Sequence, residues 1–131
     1  MRFELIDRVI ERRPDGLVAV KCVSSAEEYL ADHFPGFAVL PGVMMLEAMV
    51  QAGRAFLVDQ APPDRPLVLA EVRNIRYGNM VRPGQSLKVE VTLRPSAGGG
   101  PGQGWEFQGV GSVNDEPAVQ GRFRLALLEK E

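Results

Sequence analysis

Pro41-Gly42-Val43-Met44-Met45-Leu46-Glu47-Ala48-Met49-Val50-Gln51-Ala52-Gly53-Arg54 opens the one long helical pattern in this chain, and the fold follows from it. Pro41 suits a first helical position, where its missing N–H costs nothing. Val43 to Val50 leaves almost no polar face, which predicts a helix to about Gln60 that is buried all round. Pro62-Pro63-Asp64-Arg65-Pro66 ends it. Such a helix needs a surface that wraps it, so the flanking sequence must supply a sheet.

It does so on both sides. Phe3 to Val23 reads as two strands around the turn residues Arg13-Pro14-Asp15-Gly16, where Gly16 is able to take positive φ. The second of these, Leu17 to Val23, is mostly apolar, as in a strand buried on both sides. Ser25-Ala26-Glu27-Glu28 has the capping-box pattern of a short helix, and the two Pro-Gly pairs between His33 and Gly42 make an irregular loop. After the helix come Leu67 to Tyr77, then Leu87, Val89, Val91 and Leu93 alternating with polar residues, then Trp105 to Val113. The last strand turns Val119, Phe123, Leu125 and Leu127 inward and Arg122 and Arg124 outward. Ala97 to Gly104 is a glycine-rich hairpin link; no Lys-Ser/Thr follows, so it is not a phosphate cradle. The expectation is an α+β architecture of five or six antiparallel strands around one helix.

A chain of 131 residues suits one domain, taken as 1–131. Apolar residues make up 45% and charged residues 24%, an ordinary globular balance, and a formal net charge of -2 gives no argument for nucleic acid. Cys22 is the only cysteine, so an intrachain disulfide is excluded, and its valine neighbours suggest a reduced core residue. Charges throughout Met1 to Arg13 leave no signal-peptide core, and Glu47, Gln51 and Arg54 break the apolar stretches, so no membrane span is expected and the cytoplasm is the default location.

Two residues stand out chemically. His33 is the only histidine, so any imidazole chemistry must use it. Glu47 is the only acid in the apolar run from Pro35 to Val58, either on a wet face of the helix or placed for proton chemistry. Each also has a plain reading, as a loop histidine and a solvated helix glutamate. Composition and spacing alone stop at an α+β domain carrying both.

Residues 32–53, which read DHFPGFAVLPGVMMLEAMVQAG, resemble the signature of the FabZ-type β-hydroxyacyl-[acyl-carrier-protein] dehydratases: HFPG, a short stretch to PGV, then EAMxQ. Val81-Arg82-Pro83-Gly84-Gln85-Ser86-Leu87 is similar to that family's later V-x-PG-D-x-L segment. The resemblance implies a hotdog fold, edge-to-edge homodimers that often assemble into trimers of dimers, and sites shared between subunits. It implies dehydration of a (3R)-hydroxyacyl chain on acyl carrier protein to the trans-2-enoyl product, as in fatty-acid or related acyl-chain synthesis. It puts the catalytic His on His33 and the catalytic acid on Glu47. Gly42 takes the place of the glycine whose N–H faces the thioester carbonyl, and Gln51 that of the glutamine within i, i+4 reach of the acid.

The implied chemistry needs a base, an acid and an oxyanion donor. Neutral His33 would take the α-proton. A protonated Glu47 would deliver one to the hydroxyl, or the single histidine would do both steps while Glu47 positions water. Free N–H groups at the helix start would hold the oxyanion. No metal or redox cofactor is required. Phe37, Leu40 and Met44 would line an acyl tunnel, or simply pack in the core, and Arg73, Arg76 and Arg82 would form a basic rim for the acidic carrier, or a solvated strand face. Asp32 stands where the family usually has glycine, and an acid there would either raise the pKa of the neighbouring histidine and weaken it as a base or point to solvent. Phe37 and Ala38 replace a usually polar residue and a usual proline. Competing readings are a hotdog thioesterase, a non-catalytic carrier-binding module, a plain interaction domain and the related dehydratase-isomerase; the last usually carries Asp where Glu47 stands.

Overall fold

The computed structural model describes residues 6–23, 42–58, 66–94 and 104–127. Strands β1 (Arg8–Arg13) and β2 (Gly16–Cys22) precede helix α1 (Gly42–Leu57), followed by β3 (Leu67–Tyr77), β4 (Ser86–Leu93), β5 (Trp105–Val113) and β6 (Glu116–Leu127). The strands form one six-stranded sheet in the order β1-β2-β4-β5-β6-β3, every pair antiparallel. Among the described residues one helix packs against one antiparallel sheet, the expected α+β hotdog architecture, and β1 and β3 are the sheet's edges.

Side-chain alternation decides which face meets the helix. In β5 every odd residue from Trp105 to Val113 is buried and the even residues between them are half-buried. The core joins these to Leu87, Val89 and Val91 of β4, to Phe123 and Leu125 of β6, and to Met45, Met49, Ala52 and Phe56 of α1. Phe107 is fully buried at the centre, edge-on to Phe56 with ring centroids 6.0 Å apart and stacked on Phe123 at 5.3 Å. Two glycines let the helix approach closely. A Cβ on Gly109 would come 2.7 Å from the Met49 sulfur, and one on Gly53 would come 3.1 Å from the Phe123 ring.

Turn chemistry sets the registers. Asn114 and Asp115, with φ of 50° and 64°, join β5 to β6 in the left-handed conformations of a tight two-residue hairpin. In Arg82-Pro83-Gly84-Gln85, Gly84 has φ 90° and Gln85 N–H donates to Arg82 O at 3.0 Å, the type II pattern with Pro second and Gly third. This turn docks on the end of β2: Gly84 N–H donates to Val23 O at 2.8 Å, and Val23 N–H to Gln85 O at 3.0 Å. β3 is bulged twice, once around Asn74 at φ 55°.

Three sequence expectations change. The helix is not buried all round: Val43 is 65% exposed, and Glu47, Gln51 and Arg54 are half-buried. Gly16 does not take positive φ; its demand is for space, since a Cβ there would meet the Val91 carbonyl oxygen at 2.3 Å. Cys22 is exposed rather than in the core, and Ser86 Oγ donates to its sulfur at 3.6 Å. The inward position beside it goes to Lys21, whose ammonium lies 3.6 Å from Asp7, while the other Asp7 oxygen accepts the Cys22 N–H at 2.6 Å. A carboxylate that reaches both groups makes a buried lysine tolerable there. The short helix expected at Ser25 and the glycine-rich link up to Gln103 lie outside the described residues.

Replacing Phe107 with Ala removes the ring that joins Phe56 to Phe123 and leaves a cavity between helix and sheet. Urea denaturation should show a stability loss of about 3–5 kcal/mol.

Candidate active site

Helix α1 positions the expected site residues that the structure describes. Gly42 is its first residue, so the N–H groups around it belong to the turn that has no intrahelical acceptors and that carries the positive end of the helix dipole. The Tyr77 ring, at the end of β3, covers this point: a Cβ on Gly42 would lie 2.9 Å from Tyr77 Cε1. Tyr77 is itself 52% exposed, so the ring roofs the helix start from the solvent side.

Glu47 lies five residues further on, roughly 7–8 Å along the axis at 1.5 Å per residue. It sits on a stripe of i, i+4 and i, i+3 steps through Val43, Glu47, Gln51, Arg54 and Val58. The valines at the two ends are 65% and 61% exposed. The three polar residues between them are joined: Gln51 Nε2 donates to Glu47 Oε1 at 3.4 Å, and Arg54 Nη1 donates to the same oxygen at 3.3 Å. Arg54 Nε also donates to the Leu67 carbonyl oxygen at 3.1 Å, at the start of β3. The Glu47–Gln51 contact is the one that the i, i+4 spacing predicted. Glu47 is therefore on an accessible face with partners, not alone in an apolar environment.

Met44 is half-buried and packs against the core, which serves the packing reading directly. His33, Phe37 and Leu40 lie outside the described residues, as does Asp32.

The three arginines expected as a rim have different surroundings. Arg73 pairs with Glu71. Arg76 lines a cleft of about 320 Å³ with Asn74, Gln108, Gln120, Gly121 and Arg122. Arg82 lines a second cleft of about 350 Å³ with Asn79, Met80, Gln85, Val113, Asn114 and Glu116. Neither cleft includes Gly42 or Glu47.

Sequence reasoning passed over two residues of this region. Arg54 is seven positions past Glu47, a helical spacing that does signal proximity. Tyr77 comes from a distant strand, and no local pattern ties it to Gly42. Among the described residues no helix is long and apolar enough to cross a membrane.

A FabA-like domain model matches residues 1–122. The 3-hydroxyacyl-[acyl-carrier-protein] dehydratase FabZ of Caulobacter vibrioides is 32% identical over 134 residues, covering 97% of this chain and 80% of that protein. The FabZ of Syntrophomonas wolfei is 39% identical over 127 residues, covering 95% and 85%. The FabZ of Geobacillus thermodenitrificans is 35% identical over 130 residues, covering 98% and 87%. Among solved structures, the dehydratase heterocomplex ApeI:P from Xenorhabdus doucetiae superposes with a TM-score of 0.75 at 20% identity, over 97% of this chain and 84% of that one. The fluoroacetyl-CoA thioesterase FlK superposes at 0.70 with 14% identity, over 90% and 88%. Both structural likenesses bear on the fold alone. The FabA-like match over nearly the whole length, together with these sequence relatives, shows that the chain belongs to the FabA-like family and, within it, groups with the FabZ-type 3-hydroxyacyl-[acyl-carrier-protein] dehydratases.

Proposed function

We propose that this protein dehydrates a (3R)-hydroxyacyl chain on an acyl carrier protein to the trans-2-enoyl thioester, with His33 moving the proton and Glu47 holding the departing hydroxyl. The observation that carries the reading is the arrangement on α1, which presents the helix-start N–H groups at Gly42 and the Glu47 carboxyl on its accessible side. The family relationship supplies the reaction class.

The steps balance without a cofactor. His33 takes the α-proton, and the electron pair left behind becomes the α,β double bond as the β C–O bond breaks. The hydroxyl leaves as water, taking a proton back from the imidazolium. Glu47 accepts hydrogen bonds from Gln51 and Arg54, which suits holding the departing hydroxyl better than donating to it. The N–H groups near Gly42 stabilise charge on the thioester oxygen. Phe37 and Leu40 would line the acyl path, with Met44 packing behind them in the core. Arg76 and Arg82 attract the acidic carrier by long-range steering, with Arg73 muted by Glu71.

The working unit is a homodimer with His33 and Glu47 drawn from different subunits, and trimers of dimers are its natural extension. Support comes from the exposed apolar surface at one end of the sheet. Edge strand β3 exposes Leu69 and Val72, Tyr77 and Met80 follow, and the α1 stripe adds Val43. The reaction takes place in the cytoplasm, alongside a soluble carrier.

An absorbance assay for the conjugated enoyl thioester, run on carrier-protein and coenzyme A substrates of several acyl lengths, tests the reaction. Release of free thiol with no enoyl product would instead identify a thioesterase. His33→Ala and Glu47→Ala should each lower hydration of a crotonyl thioester by roughly 10²-fold or more with the oligomer intact by mass. Full activity in either variant refutes the site. Gly42→Ala pushes on the Tyr77 ring at the oxyanion donors and should lower kcat/KM about 10-fold, with the midpoint of thermal unfolding nearly unchanged.

A further inference from the structure

The polar stripe of α1 contains more than the acid. Glu47 receives two donors, Gln51 Nε2 at 3.4 Å and Arg54 Nη1 at 3.3 Å, and both meet Oε1. No described residue donates to Oε2. Both donors among the described residues thus hold the carboxyl by the same oxygen.

Gln51 reaches Glu47 from within the same helix, and Arg54 links it to another element. Arg54 is tethered through Nε to the Leu67 carbonyl oxygen at 3.1 Å, and Leu67 is fixed in the sheet by its register with Leu127 of β6. The guanidinium is a planar fork, so a bond at Nε restricts where Nη1 points. Backbone of β3, guanidinium and carboxylate oxygen form one chain of contacts from the sheet to the acid. Both charged side chains are partly exposed, at 30% for Arg54 and 39% for Glu47, so the pair adds little to stability. An unanchored glutamate on a half-wet face would sample several rotamers, most of them unproductive for a reacting hydroxyl.

We propose that Arg54 is a positioning residue for the reaction: it anchors Glu47 through Oε1 to the edge strand, so that Oε2 is the oxygen that meets the substrate hydroxyl. The inference rests on the dehydratase reading, with Glu47 in the site, and goes beyond it by naming what orients the acid and which oxygen acts. Because Leu67 begins β3, the anchor also couples the acid's orientation to the strand on which the proposed dimer is built.

The test uses the full-length protein with Arg54→Met, which retains an apolar stem and removes every donor, and Arg54→Lys, which can still donate to Oε1. kcat and KM are measured by enoyl absorbance and expressed per folded protein, the folded fraction being taken from circular dichroism at the assay temperature. Arg54→Met should lower kcat about 10-fold with KM within about twofold, and Arg54→Lys should recover a substantial part of kcat. An Arg54 that only braces the fold would lower the folded fraction and leave kcat per folded molecule unchanged, which overturns the proposal. So would an Arg54→Lys no better than Arg54→Met. His33→Ala and Glu47→Gln run beside them separate the two ideas. If both are inactive while Arg54→Met is unimpaired, only the anchor falls; if both retain full activity, the dehydratase site itself falls.

Discussion

The close seat of α1 on the sheet governs the rest of the structure. Gly109 makes room for the Met49 sulfur, and Gly53 brings the helix backbone down onto Phe123 and Leu125. At these distances an added methyl group would displace the Met49 side chain or press on the Phe123 ring, disturbing the packing between helix and sheet. Because the contacts fix the roll of α1, they fix which residues face away. Met45, Met49, Ala52 and Phe56 go into the core, and Glu47, Gln51 and Arg54 are left on the accessible side. The position of the acid is a consequence of packing on the opposite face of the same helix.

That arrangement resolves the tension of a carboxylate inside an apolar run. Burial alone would cost several kcal/mol. The helix instead leaves Glu47 partly accessible and gives it a glutamine and an arginine. The same face carries exposed apolar residues at Val43 and Val58, and the neighbouring edge strand exposes Leu69 and Val72. In the proposed dimer a second copy would cover this surface, and the contacts around Glu47 would strengthen as water is excluded.

The outer strands show the same economy in turns and pairs. The Arg82–Gln85 turn is tied by two backbone hydrogen bonds to Val23, immediately ahead of the segment that holds His33. At the end of β2 Lys21 turns inward and Cys22 outward, with Asp7 contacting both. A strand of mostly apolar residues can carry a lysine inward where a carboxylate on the preceding segment meets it at the rim. Local hydropathy has no access to that partner.

By itself the sequence determined the element types, because period-two alternation in β4, β5 and β6 and a long apolar run in α1 are local properties that burial enforces wherever the chain goes. It also determined the family, through the residues from His33 to Gln51, and the contact between Glu47 and Gln51, since i, i+4 spacing is geometry that every helix shares. Only the tertiary structure decided the sheet order, which places β3 beside β6 at an edge, and the roll of α1, which depends on space left by glycines in distant strands. It alone put Tyr77 over Gly42 and the Leu67 carbonyl within reach of Arg54, and it moved Cys22 to the surface. Each of these joins residues that the chain brings together only on folding, and no pattern along a single element encodes a contact whose other half lies on a different one.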